Sequence, residues 1–522
     1  MVKNQPSHEI CAAWDSQISK PIQHGPTQVA NKFGIDIKLF ASPEVPLEEA
    51  AFQELDGMLE LQTTVERLHK AQPGLFAEVP AIERIALTPD FHKAQGIPVG
   101  TVMATKGFVV PQAIGKDIGC GYQLVDTGLN IHDVEPYLAT LGERLRHTFF
   151  LGGRDIPLSN IHRIALLEGG VSGLMNSLAM NNPGGIWNSV RGISDMIVEA
   201  CGKGDERTEV PSCLSGYVKT RSGISRDNQI GSIGGGNHFV ELQVVDSVFD
   251  ATTAYAWGLR PGAVLVMIHS GSLNIGSVCA ATSADKAKKF YQDHVPGRLP
   301  DNKLFPVPVG PNLPMTGEFM SAHYAARNFA AVNRLALALC TVETLARVTG
   351  KRTEFKPVYD SPHNYINNEI CDGTRVFVHR KGASAGRGPV EAPKSEGDLY
   401  GEPVMLPGAM GVESYLMAGL GSNAALNSVS HGAGRKLRRS KAMSDSEDSA
   451  NDFLARYQVI KPFDLNAVRH QASPKLLKNL IGDIKQEMPN AYKPIRPVMH
   501  ALRDHGMAKP VLKVAPLMTA KG

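Results

Sequence analysis

Ala263-Val264-Leu265-Val266-Met267-Ile268 is an unbroken apolar run that stops abruptly on His269-Ser270-Gly271-Ser272. Six consecutive apolar residues read as a strand buried on both faces, and a polar quartet directly behind it points to a site at the edge of a sheet. Upstream, Gly234-Gly235-Gly236-Asn237-His238 feeds a histidine into Phe239 to Val245, a strand of alternating character. Downstream, Ser321 to Thr349 is rich in Ala, Leu and Arg without glycine or proline, which predicts a long helix covering the sheet.

Further out, residues 1 to 45 are irregular, with several prolines, and read as an arm or an extended edge segment. Leu47 to Gln72 carries apolar residues at helical spacing, enough for one or two amphipathic helices. Between Ile85 and Thr127, short apolar runs separated by glycine and proline predict strands at Ile85 to Leu87, Val99 to Met103, Phe108 to Val110 and Tyr122 to Val125. Asp90 and His92 fall in the first gap between them, Asp117 and Cys120 in the last. Residues 130 to 230 mix helical stretches with Gly/Ser/Asn loops and offer little chemistry. Arg375 to Val378 and Pro403 to Leu406 read as strands, and beyond the acidic, serine-rich Ser444 to Asp452 the pattern is mainly helical until Val511 to Ala515. The expected class is α+β.

At 522 residues the chain has room for three or four domains or for one elaborated large one. With 43% hydrophobic and 20% charged residues it is an ordinary globular composition, and no apolar run approaches the roughly 20 residues that span a bilayer. Met1 to Ser19 is polar and lacks a signal core, so no membrane or secretory destination is expected. Seven cysteines without a CxxC pair favour a reducing cytoplasm over a disulfide framework. A net charge of +3 leaves any nucleic-acid argument to local clusters.

One cluster is conspicuous: Ser430-His431-Gly432-Ala433-Gly434-Arg435-Lys436-Leu437-Arg438-Arg439-Ser440-Lys441. Its glycines allow close backbone approach, and its cations offer fork-shaped and point-charge phosphate donors. An imidazole in such surroundings can attack phosphorus and form a covalent phosphoramidate. Basic runs are also commonly solvated faces, and that reading stands beside it. A second pattern comes from His238, His269 and His363, each at a junction of strand and small-residue loop, with Asp117 and Cys120 at another. Singly, each histidine is more often a hydrogen-bonded structural residue, and Cys120 a small buried hydrophobe. Should the five converge, they exceed what one tetrahedral ion requires, and Cys120 could bridge two ions in a site suited to phosphoryl transfer. Ligand type leaves the metal open: imidazole and thiolate suit zinc, iron or cobalt, and manganese is the less obvious choice. Walker A, GxGxxG, HExxH and Lys-x-Asp-Gly signatures are all missing.

In order along the chain, these motifs resemble those of the RtcB RNA ligases: Asp90-Phe91-His92, Asp117-Ile118-Gly119-Cys120-Gly121, Gly236 to Glu241, His269-Ser270-Gly271-Ser272, His363-Asn364, Val378 to Ala383, His431 to Arg435 and the terminal Lys521-Gly522. The resemblance implies an RtcB-like fold, a central β-sheet sandwich surrounded by helices with a deep metal-containing cleft. It implies an arm and helices over 1–75 and a single catalytic domain over 76–522, with insertions around 130–230. It further implies joining of RNA 2′,3′-cyclic phosphate or 3′-phosphate ends to 5′-hydroxyl ends, in tRNA splicing or RNA repair. His431 would become guanylylated by GTP, with Asp90 as its catalytic partner.

By the same resemblance, Asp117 and His238 would hold one manganese ion, His269 and His363 a second, and Cys120 would bridge them. Asn237, His238, Phe239, Val240 and Glu241 would contact the nucleotide, as would His363 and Asn364. So would Pro407, Gly408, Ala409, Met410 and Ser414, the loop His431, Gly432, Ala433 and Gly434, and finally Tyr492 and Lys521. Arg435 and Arg439 would meet RNA phosphates. The expected protein is a monomer, with an archease-like activator as a candidate partner.

Three departures from the family pattern suggest a divergent branch. Pro407-Gly408-Ala409-Met410-Gly411-Val412-Glu413-Ser414 stands where Pro-Gly-Ser-Met-Gly-Thr-Ala-Ser is typical, removing a hydroxyl. Leu273 replaces an arginine, and Ala383 to Arg387 replaces Ala-Thr-Arg-Ala-Phe. A metal-dependent cyclic phosphodiesterase that opens RNA ends without sealing them, and an RNA-binding protein without turnover, are the competing expectations.

Overall fold

A computed structural model describes residues 25–219, 223–295, 299–311, 313–390, 396–444, 446–463 and 473–522. Residues 1–24, most of the expected arm, lie outside the described residues.

Two sheets form the centre. In the first, the strand order is Thr27–Gln28, Asp36–Leu39, Ala81–Gln95, Ile97–Lys106, Thr374–Lys381, Asn364–Cys371. In the second it is Lys356–Pro362, Gly121–Asn130, Ala263–Ser270, Phe239–Val248, Ala508–Ala520, Ser414–Gly419, Pro403–Leu406, with Gln458–Ile460 parallel to Ala508–Ala520. Every residue of Ala263–Ser270 is buried, as its unbroken apolar run requires, because neighbouring strands flank it and a helix covers it. Ala86, Val102, Ala104, Val376 and Val378 of the first sheet share one core with Val404, Leu406, Tyr415 and Met417 of the second. This is the expected sandwich.

The long helix is Pro314–Thr349, seven residues longer at its start than the Ala/Leu/Arg pattern indicated. Proline in the first turn costs nothing, since its missing N–H would have no helical acceptor there. Among the described residues this is the one helix long and apolar enough to cross a membrane, yet 89% of its most apolar window is buried inside the protein. It packs against helices Asn160–Met180, Leu273–His294 and Leu138–Phe150 and against the second sheet.

Two strands also differ from the sequence reading. Asp90 and His92 do not sit in a gap: Ala81–Gln95 is one strand, and its register against Ile97–Lys106 shifts between Leu87 and His92. That irregularity lets polar side chains turn into the interior without ending the strand. The C-terminal strand begins at Ala508 rather than Val511 and runs to Ala520.

Both sheets hand the chain to each other beside the site. Lys356–Pro362 ends against Gly121 in the second sheet, and after His363 the chain enters the first sheet as Asn364–Cys371. Thr374–Lys381 leaves the first sheet at Gly382, and Ala383–Ala385 pairs with Ser428–Ser430, leaving His431 just beyond. His363 and His431 are therefore seam residues, with ring centroids 4.8 Å apart.

Candidate active site

Arg334, fully buried in the long helix, gathers the strand ends that carry the site. It donates to the carbonyls of Gly119 at 2.7 Å and Ser270 at 3.1 Å, and makes a forked pair with Asp360 at 2.7 and 2.8 Å. The 117–120 turn is further clipped to the seam, His363 N–H donating to the Cys120 carbonyl at 2.7 Å.

The five expected ligands converge. Asp117, Cys120 and His238 form one group, Cys120, His269 and His363 another, with ligand atoms in each within 4.8 Å of one another. Cys120 Sγ lies 3.3 Å from Nε2 of both His238 and His269. His269 Nε2 is 3.4 Å from His363 Nε2, and His238 Nε2 is 2.9 Å from Asp117 Oδ2. Donor atoms about 2.0–2.3 Å from one cation are spaced about this far apart. The tautomer is also set for ligation: His269 Nδ1–H donates to the Asn237 carbonyl at 3.0 Å, which turns the Nε2 lone pair inward. Asp117 Oδ1 is held by the Leu273 N–H at 2.8 Å and the Ser272 hydroxyl at 3.3 Å.

Burial pushes His269 and His363 well below the ordinary imidazole range, helped by neighbouring histidines, so both are neutral. Burial and the Asp117 charge push the Cys120 thiol well up, a cost that a bound cation reverses by taking the thiolate. Two neutral imidazoles facing each other through Nε2, beside a thiol and a carboxylate, are a donor set that fits cations.

His431 stands next to this cluster. Its Nδ1–H donates to Asp90 Oδ2 at 2.5 Å, and Asp90 Oδ1 accepts from the Thr88 hydroxyl at 2.5 Å. Nε2 is thereby the free nitrogen. Burial alone would raise the Asp90 carboxyl, but His431, by charge and hydrogen bond, and Thr88 hold it below the usual range. Lys493 fixes the strand on either side, donating to the carbonyls of Pro89 at 3.1 Å and Phe91 at 2.8 Å. Two glycines make the close approach possible. A Cβ at Gly434, φ +73°, would meet Asp90 Cβ at 2.8 Å, and one at Gly382, φ +64°, would meet the His431 ring at 3.1 Å.

The candidate ligand cluster and His431 open into one cavity of about 790 Å³, within the roughly 300–1,000 Å³ typical of small-molecule sites. Asn237, Phe239, Glu241, Asn364, Pro407 to Met410, Gly432 to Gly434, Tyr492 and Lys521 all line it. Val240 and Ser414 do not. Strand alternation sends Val240 to the opposite face, into the main core. Ser414 is buried behind the loop, its hydroxyl accepting from the Gly408 N–H at 3.1 Å, so it shapes the loop rather than presenting a group to the cavity.

At one wall, Glu241 accepts from Thr519 at 2.5 Å and Gln243 at 2.8 Å, yet burial still lifts its carboxyl to about 7. Burial lowers Lys521 to about 8, with Glu487 3.9 Å away opposing the drop. Arg435 and Arg439 differ in kind. Arg435 is engaged, donating to Gln486 O at 2.7 Å and Tyr492 OH at 3.1 Å, with Glu487 at 3.4 Å. Arg439 is exposed at the rim, next to Gly236.

Tyr122, whose ring lies 4.3 Å from that of His269 and 5.0 Å from that of His363, went unread in the sequence, as did Glu487, Lys493 and Arg334. Only Arg334 carried a signal: a cation amid an apolar helical stretch must find a partner if buried.

Two candidate ligand groups sharing one thiol, beside a histidine hydrogen-bonded to a buried aspartate, are an arrangement compatible with metal binding in a ligase site. A family described as tRNA-splicing ligase RtcB matches residues 74–522. The chain is 33% identical over 467 residues to an RNA-splicing ligase RtcB of Mycobacterium tuberculosis, covering 85% of this chain and 99% of that one. It is 31% identical to a tRNA-splicing ligase RtcB of Methanococcus maripaludis, over 85% and 89% of the two chains. An RNA-splicing ligase RtcB homolog 2 of Entamoeba dispar shares 28%, over 85% and 82%. The chain belongs to the RtcB family.

Proposed function

We propose that this protein is an RNA ligase that joins RNA 2′,3′-cyclic phosphate or 3′-phosphate ends to 5′-hydroxyl ends, using GTP and a GMP–histidine intermediate, in tRNA splicing or RNA repair. The observation that carries the reading is the Asp90–His431 hydrogen bond, which frees Nε2 beside the two ligand groups. His431 Nε2 attacks the α-phosphorus of GTP, the bond to pyrophosphate breaks, and Asp90 stabilises the positive charge that builds on the ring. A cyclic end is first opened by water, the P–O2′ bond breaking to leave a 3′-phosphate and a 2′-hydroxyl; the RNA 3′-phosphate then displaces the histidine, and the 5′-hydroxyl displaces GMP to seal the strand.

Asp117, Cys120 and His238 would hold one manganese ion and Cys120, His269 and His363 the other, which when bound neutralise charge on the reacting phosphates. Phe239, Glu241, Tyr492 and Lys521 would receive the nucleotide. Arg439 is open to an RNA phosphate, whereas Arg435 acts from within by holding Tyr492 and Glu487. The proposed setting is the cytoplasm, as a monomer assisted by an archease-like activator.

The test supplies one RNA ending in a 2′,3′-cyclic phosphate and another beginning with a 5′-hydroxyl, with GTP and manganese. A joined product that requires GTP and vanishes in His431→Ala is expected. Ring opening without joining, with or without an activator, would overturn ligation in favour of a cyclic phosphodiesterase.

A further inference from the structure

Away from this site, Cys213 and Cys279 lie with their sulfurs 3.9 Å apart. Cys213 belongs to the short turn Ser212–Leu214, and Cys279 to the helix Leu273–His294. The two differ in access: Cys279 is fully buried, while Cys213 is half-buried and lines a cavity of about 310 Å³ together with Thr282, Lys286, Met315 and Phe319. The hydrogen bond from Cys279 holds the Cys213 thiol down to about 7, against burial and with help from Lys286, and correspondingly pushes Cys279 up. One sulfur is thus the more accessible nucleophile and the other a proton-bearing partner behind it, the division of labour of an attacking and a resolving thiol.

We propose that Cys213 and Cys279 form a peroxide-oxidisable dithiol, with the cavity as the route by which a small hydroperoxide reaches Cys213. The Cys213 thiolate attacks the terminal oxygen of the peroxide, an S–O bond forms, the O–O bond breaks, and the alcohol or water leaves with a proton from solvent. Cys279 sulfur then attacks Cys213 sulfur, the S–S bond forms, the S–O bond breaks, and the departing hydroxide takes the Cys279 proton as water. Two thiols are oxidised by two electrons and the peroxide is reduced by two. The sulfurs must close from 3.9 Å to about 2.05 Å, a movement open to the short, partly exposed turn that carries Cys213. The helix fastened in this way begins at Leu273, whose N–H holds Asp117.

The experiment treats the full-length, reduced protein with one to a few equivalents of hydrogen peroxide, blocks remaining thiols with N-ethylmaleimide, and maps peptides by mass spectrometry without reduction. The expected product is a Cys213–Cys279 linked peptide, two hydrogens lighter than the separate thiols and cleaved by dithiothreitol. In Cys279→Ser, whose folding is checked by its thermal transition, dimedone should capture a sulfenic acid at Cys213. If Cys120 or Cys371 oxidises first while no Cys213–Cys279 link forms in the wild type, the proposal is overturned.

Discussion

Replacing Asp90 by asparagine separates two roles of the carboxylate, its charge and its hold on the His431 tautomer. In the structure Thr88 Oγ1 is near both Asp90 Oδ1, at 2.5 Å, and the Gly100 carbonyl, at 3.1 Å. After Asp90→Asn the hydroxyl can donate to Gly100 and accept from the new amide, so the remaining amide oxygen still accepts His431 Nδ1–H. Only the charge is lost. A charged hydrogen bond contributes about 1.5–3 kcal/mol against about 0.5–1.5 for a neutral one, so the loss is about 1–2 kcal/mol, or roughly 5–30-fold in rate. Asp90→Ala instead leaves Nδ1–H without its acceptor and the ring without an anchor, which should cost at least about 100-fold. The assay is the initial rate of His431 guanylylation from α-labelled GTP with manganese. An Asp90→Asn rate within twofold of wild type would show that the charge is idle. A rate as low as that of His431→Ala would show that Thr88 does not rescue the tautomer.

Because Cys120 belongs to both ligand groups and His363 to one, Cys120→Ala should lower bound manganese at both positions, while His363→Ala retains about one ion per chain. Elemental analysis after dialysis decides, and equal losses in the two variants would contradict the shared-thiolate arrangement. Glu241, ordinarily ionised above pH 4.5, is lifted to about 7 by burial. The unfolded chain therefore gives up its proton first, and this residue withdraws stability as pH rises from 4.5 to 7, up to about 3 kcal/mol. Glu241→Gln should accordingly raise urea resistance at pH 8 and leave it unchanged near pH 4.5; the same effect at both pH values would refute the assignment. Arg334→Met strands the buried Asp360 carboxylate and should cost about 3–5 kcal/mol in urea unfolding, most of it recovered in the double variant with Asp360→Leu. Failure of that recovery would mean the Gly119 and Ser270 carbonyls, not Asp360, are what Arg334 chiefly serves.

What could be read in the chain beforehand follows from how local each signal is. Ala263–Ser270 announced itself because burial on both faces removes the usual alternation, and Pro314–Thr349 because its composition favours helix over most of its length. The convergence of the five candidate ligands was legible from their places at strand ends, since sheets bring such ends together. Asp90 was misplaced because a shifted register inside a strand looks, in sequence, like a gap between two. Period-two alternation could have separated Val240 from Phe239 and Glu241, whereas the resemblance carried the whole run into the nucleotide pocket. The chain's passage from one sheet to the other at His363 depends on a pairing more than two hundred residues apart, and the Gly382 crossover towards His431 on one more than forty apart, so neither leaves a local trace. Arg435 shows the same limit: a phosphate-ready guanidinium by composition, it is committed to Tyr492, Glu487 and Gln486 by residues some fifty positions away.

The most direct measurement is covalent labelling. Wild-type protein and His431→Ala are incubated with α-labelled GTP and manganese and resolved on a denaturing gel. A labelled band in the wild type that is lost in the variant, and lost again when the divalent ion is chelated, is the expected result. An equally labelled His431→Ala protein, or a folded, manganese-loaded wild type that takes no label even with an archease-like activator present, would contradict His431 as the nucleophile.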